Sequence, residues 1–167
     1  MREDRNYATV VALFAAFLYL AILVAAFGLI SLYWNIDVID VPDAGPLVGP
    51  VMVGCATIAV LISLVVRGRS VPADEQRIAP LTALLVGVIA YVVFVLSGGI
   101  AYAVGGGEPL GFLTFSFHMF ASWFSVATGI AGAVMAFVYQ LVLVGRFEQR
   151  GRPRWPWEHD DEDRDDT

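Results

Sequence analysis

The chain has 167 residues, is 58% hydrophobic and has a mean hydropathy of +0.72. A soluble globular domain is typically about 45–50% apolar, so composition favours an integral membrane protein over a soluble domain with a large core. The net charge of −6 sits in one place: seven of the sixteen acids fall in the last ten residues, from Glu158 to Asp166, and the rest of the chain is close to neutral.

Tyr7 to Trp34 carries no charge. It is longer than the roughly 7–15-residue apolar core of a secretory signal peptide, so an uncleaved first transmembrane helix is expected at about residues 9–33. Tyr33 and Trp34 fall where an interfacial aromatic belt belongs. The following loop holds Asp37, Asp40 and Asp43, no basic residue, and the turn formers Pro42, Gly45, Pro46 and Gly49.

A second span is expected at about 47–66. Cys55, Ala59 and Ser63 recur every fourth residue in it, a small-residue stripe that admits a neighbouring helix. Cys55 is the chain's one cysteine, so no disulfide forms within the chain. Arg67, Gly68 and Arg69 end the span. Ser70 to Ala79 has the composition of a short surface helix that Pro80 either kinks or restarts.

The third span is expected at about 81–101, with Ala83, Gly87 and Ala90 as a small face and Ser97, Gly98 and Gly99 weakening its outer end. Pro109 to Gly145 is the longest uncharged stretch. As one helix it would run about 55 Å, against a bilayer core of about 30 Å. It therefore holds one span, expected at about 120–144, plus an extra segment around Phe112 to Phe120. Ser122, Ser125, Gly129, Gly132, Ala133 and Ala136 give the span a small-residue face, suited either to packing inside the bundle or to self-association. Arg146, Arg150, Arg152 and Arg154 follow, a basic cluster of the kind that meets anionic headgroups. Residues 155–167 form an acidic tail with too little apolar content to fold.

All ten basic residues are arginines, and all lie in the N-terminus, the second loop or the C-terminus. The positive-inside rule then puts both termini in the cytoplasm of a bacterial cell membrane and loops 35–46 and 102–119 outside. The expected fold is all-α: a four-transmembrane-helix bundle over residues 1–154.

Ionisable residues inside spans mark function by default, and spans one to three contain none. His118 is the candidate that remains. One reading joins it to Glu108 and the first-loop acids in an exterior metal or proton site. The other makes it an interfacial histidine among aromatics. The spacing matches no metal motif, and neither a phosphate-binding glycine loop nor a catalytic triad is recognisable. The expectation is a protein that is not an enzyme, with no catalytic, cofactor-binding or metal residues. Its expected partners are the lipid bilayer and another membrane protein or a second copy of itself through span four, with no nucleic acid. A small oligomeric transporter or channel for a neutral or apolar solute is the alternative.

Ala44-Gly45-Pro46-Leu47-Val48-Gly49-Pro50 at the start of span two, together with the arginine-then-acid C-terminus, resembles the small four-span bacterial membrane proteins grouped in families of unknown function. That resemblance implies the four-span plan and assigns no site residues.

Overall fold

The computed structural model describes residues 2–39, 44–70, 79–106 and 110–150, with side chains over 6–39, 44–70, 79–105 and 110–145. Among them every regular element is a helix: α1 (Arg2–Trp34), α2 (Val48–Ser70), α3 (Pro80–Gly106), α4 (Gly111–Phe120) and α5 (Trp123–Arg150). Four of these, α1, α2, α3 and α5, are long and apolar enough to cross a membrane. The expected acidic tail, the surface helix between Ser70 and Ala79, and Asp40, Asp43 and Glu108 lie outside the described residues.

The four long helices form a ring in which α1 packs on α2, α2 on α3, α3 on α5 and α5 on α1. The α3–α5 pairing is the most extensive. A weaker diagonal contact between α2 and α5 fills the centre. In lipid the backbone must satisfy its own hydrogen bonds, which makes each span a helix. Small residues then decide how closely two spans approach.

The α1 interior stripe follows helical spacing and grades in size. Ala8, Ala12, Ala15 and Ala16 lie toward its N-terminal end, followed by Tyr19, Leu23 and Phe27. Alanines keep the neighbours close at one end, and the larger side chains fill a wider gap at the other. There Phe27 meets Phe94 of α3 and Phe124 of α5 edge-on, with ring centroids 5.7 and 5.3 Å apart. Asn35 ends α1 with φ of 50°, the left-handed stop that asparagine adopts at low cost. The Ser31 hydroxyl then donates to the Ile36 carbonyl at 2.7 Å and holds the turn.

The buried face of α2 is Val48, Met52, Ala56, Val60, Leu64 and Gly68. The stripe of Cys55, Ala59 and Ser63 sits one position back and is only half-buried. Val48, Met52, Val60 and Leu64 fill the bundle centre from the inward face, with Ala56 and Gly68 as its small positions. The Ser63 hydroxyl turns back onto its own helix, donating to Ala59 O at 2.7 Å. Pro80 begins α3, and Ala79 caps it: Ala79 O accepts from the backbone N–H of Thr82 at 3.0 Å and of Ala83 at 3.3 Å.

The small faces of spans three and four meet each other. A Cβ on Gly87 would lie 2.5 Å from Gly129 O and 2.8 Å from Ala133 Cβ. One on Gly132 would lie 3.1 Å from Ala90 Cβ and 3.7 Å from Val60. The small-residue face of span four is thus occupied by α3 inside one chain. Polar side chains tie the same seams. Tyr19 donates to Thr128 O at 3.2 Å and Tyr139 to Ala8 O at 3.1 Å, both buried. The Gln140 side chain accepts from the Ala79 N–H at 2.7 Å and donates to Thr82 Oγ1 at 3.0 Å.

Candidate functional site

The long uncharged stretch does not form one helix. It breaks at Ala121 and Ser122 into α4 and α5. Residues 111–119, expected in an exterior loop, are helical and run antiparallel along the second half of α3. The sequence places the start of span four at Phe120, whereas α5 starts at Trp123. The glycines expected to weaken the outer end of α3 instead make room for α4. A Cβ on Gly98 would lie 2.8 Å from the Phe115 ring and 2.7 Å from Met52, and one on Gly99 would lie 2.8 Å from the Phe112 ring. Glycine costs roughly 1 kcal/mol of helix propensity, and here it permits an aromatic helix to sit directly on the backbone. Tyr102 stacks on Phe115 with centroids 5.1 Å apart. Ser116 Oγ, in the same seam, is buried without a hydrogen-bond partner.

The break is a built feature. Ala121 has φ −92° and ψ 7°, in the sparsely populated bridge region. The Met119 carbonyl accepts from the Ser122 N–H at 3.1 Å and from the Ser125 hydroxyl at 2.7 Å. The Phe120 carbonyl accepts from the Tyr91 hydroxyl of α3. Ser122 in turn caps α5: its Oγ accepts from the Phe124 N–H at 3.3 Å and its carbonyl from the Val126 N–H at 3.2 Å. The groups freed by the interruption are therefore taken up by side chains of α3 and α5.

The depth of the break follows from its partners. Tyr91 lies about 17 Å along α3 from Pro80, at about 1.5 Å per residue. Phe124, just past the break, packs at the level of Phe94 through Phe27. The interruption is thus near mid-height of α3. Non-helical backbone at such depth is tolerated where protein buries it or a wet cavity reaches it. Ala121 is exposed and Ser122 half-buried, and a cleft of about 400 Å³ opens beside the break.

Ile36, Asp37 and Val38 of the α1–α2 connection form one wall of that cleft, and Phe117, His118, Ser122 and Trp123 form the other. His118 is exposed, on the last turn of α4. Trp123 stacks on Trp34 at the end of α1, with centroids 6.0 Å apart and planes 7° apart, and Tyr33 meets Trp34 edge-on. The structure thus brings His118 together with one first-loop acid, Asp37. Among the described residues no group of three His, Cys, Asp or Glu side chains could hold a metal ion. Cys55 stands apart, half-buried on α2. Sequence reasoning misses Ser122 and Tyr91 as parts of this site. A serine directly before an apolar run is a helix-start signal, but within an unbroken apolar stretch it also reads as a packing residue.

Ring topology, four apolar spans and a half-helix laid on the third define a small multi-pass helical membrane protein. The family of unknown function DUF6121 matches residues 1–165. The chain belongs to that family. No curated protein and no solved structure matches it.

Proposed function

We propose that this protein is a non-enzymatic accessory or interaction subunit of a bacterial cell membrane, with both termini cytoplasmic, acting through contacts with another membrane protein and with lipid. The observation that carries this reading is the closure of the bundle onto itself. Among the described residues, Ser116 Oγ is the buried side-chain polar atom without a hydrogen-bond partner. The α3–α5 seam is closed to backbone contact at Gly87 and Gly129. Among the described residues, buried polar side chains such as Tyr19, Tyr139 and Gln140 spend their hydrogen bonds inside the bundle. What it offers a partner is its outer surface, where Phe14 and Phe17 of α1 are 72% and 70% exposed.

The test is gentle extraction of the tagged protein from its own membrane, followed by native mass spectrometry of the particle. A stoichiometric second protein is the expected result. A homo-oligomer without a partner, together with solute flux in liposomes, overturns it in favour of a second reading: a small oligomeric transporter or channel for a neutral or apolar solute. The α4–α5 break favours that second reading, because discontinuous helices line substrate sites in many transporters.

A further inference from the structure

The cleft beside the α4–α5 break has a chemical character of its own. At about 400 Å³ it is within the range of small-molecule sites and far larger than a bare ion needs. Its aromatic walls are Phe117, Trp123 and Phe124. Among the described residues that line it, Asp37 is the acidic one, and the His118 ring adds nitrogen hydrogen-bonding groups. Helix ends meet here with opposite polarity, the C-terminal end of α4 favouring cations and the N-terminal end of α5 favouring anions. Ser122 Oγ already accepts from the α5 first turn, and Tyr91, Ser122 and Ser125 already donate to the α4 carbonyls. The two ends are largely answered by protein groups. The carboxylate and the negative faces of the aromatic rings then decide the sign.

We propose that this cleft binds an organic cation with an alkylammonium head, Asp37 supplying the counter-charge and Trp123 and Phe117 the π-faces. The head belongs either to a free solute or to the headgroup of a lipid. A ligand held this way loses affinity when the carboxylate goes, when the aromatic wall goes, or when its own charge goes. The inference does not depend on the accessory-subunit reading, since a closed bundle and a transporter can each carry such a site.

The test uses the full chain in nanodiscs of phosphatidylglycerol, which bears no ammonium, with choline as the probe in equilibrium binding. Its neutral isostere 3,3-dimethylbutanol is run alongside. Choline is expected to bind saturably and the alcohol at least about tenfold more weakly. Asp37→Asn and Trp123→Leu are each expected to weaken choline at least about tenfold, as loss of a paired charge or a packed aromatic does. Asp37 is exposed, so its substitution leaves the bundle intact, and an unchanged elution profile checks this. Absence of saturable choline binding overturns the proposal. So does equal binding of the alcohol, or an Asp37→Asn protein that binds as the parent does. Repeating the titration at equal surface charge, in discs of half phosphatidylglycerol with half phosphatidylcholine against half phosphatidylglycerol with half neutral glycolipid, separates the sources: weaker choline binding in the phosphatidylcholine discs assigns the site to a lipid headgroup, and equal binding assigns it to a free solute.

Discussion

The hydroxyl of Tyr91, midway along α3, donates its hydrogen bond to the carbonyl of Phe120, the last residue of α4. Their rings also meet edge-on, with centroids 5.6 Å apart. One side chain thus closes the end of the half-helix and holds it against the third span. Tyr91→Phe keeps the ring contact and removes the donor, leaving the Phe120 carbonyl unanswered. A loss of about 0.5–1.5 kcal/mol is expected, read as a lower midpoint of thermal unfolding in detergent. Hydrogen exchange should rise selectively around Ala121 and Ser122.

Glycine substitutions should divide by face. Gly87→Ala places a methyl group against the Gly129 carbonyl and Ala133, both on the rigid backbone of α5 or directly attached to it. A cost of about 1–3 kcal/mol is expected for this overpacking. A Cβ on Gly28 of α1 would meet nothing within 4 Å, so Gly28→Ala should stabilise by up to about 1 kcal/mol through helix propensity. Parallel unfolding of the two variants checks the contrast.

Gln140 joins α5 to the start of α3 through the Ala79 N–H and the Thr82 hydroxyl. Gln140→Leu removes both bonds and strands the Ala79 N–H. Loss of about 1–3 kcal/mol is expected. Thr82→Val removes the bond from Gln140 and the one the hydroxyl donates to Ala79 O at 2.7 Å, but it leaves the Ala79 N–H paired with Gln140, so it should cost less. A double-mutant cycle between the two positions should show coupling, as residues sharing one network do.

The proposed orientation predicts the labelling pattern of single cysteines introduced into a Cys55→Ser background. Asp37→Cys, in the exposed α1–α2 connection, should react with a membrane-impermeant maleimide added to intact cells. Arg69→Cys, at the arginine-bearing end of α2, should react only after permeabilisation. The reverse pattern would invert the topology.

Much of the architecture is legible in single stretches of sequence. The small face of Ala83, Gly87 and Ala90 and that of Gly129, Gly132 and Ala133 can each be read from spacing, and the structure seats one on the other. On α2 the stripe of Cys55, Ala59 and Ser63 is half-buried beside the fully buried face, because adjacent positions on a helix share the same period. Gly98 and Gly99 read as weak points, since nothing local announces that an aromatic helix will lie on them.

The candidate site is legible only in part. His118 and the first-loop acids stand out as ionisable groups near apolar segments, but spacing alone does not show that Asp37 shares a cleft with His118. The excess length of the 109–145 stretch announces an additional segment without locating the break.

By itself the sequence determined the all-helical, four-span plan, because a bilayer leaves an apolar stretch of that length only the helix for its backbone hydrogen bonds. Tertiary structure alone decided which faces pair, where the last span breaks, and which side chains meet there. Those outcomes depend on contacts between helices far apart in the chain. The Tyr91 donor, Ser122 cap and Ser125 donor make the interruption tolerable only once α3, α4 and α5 are packed together.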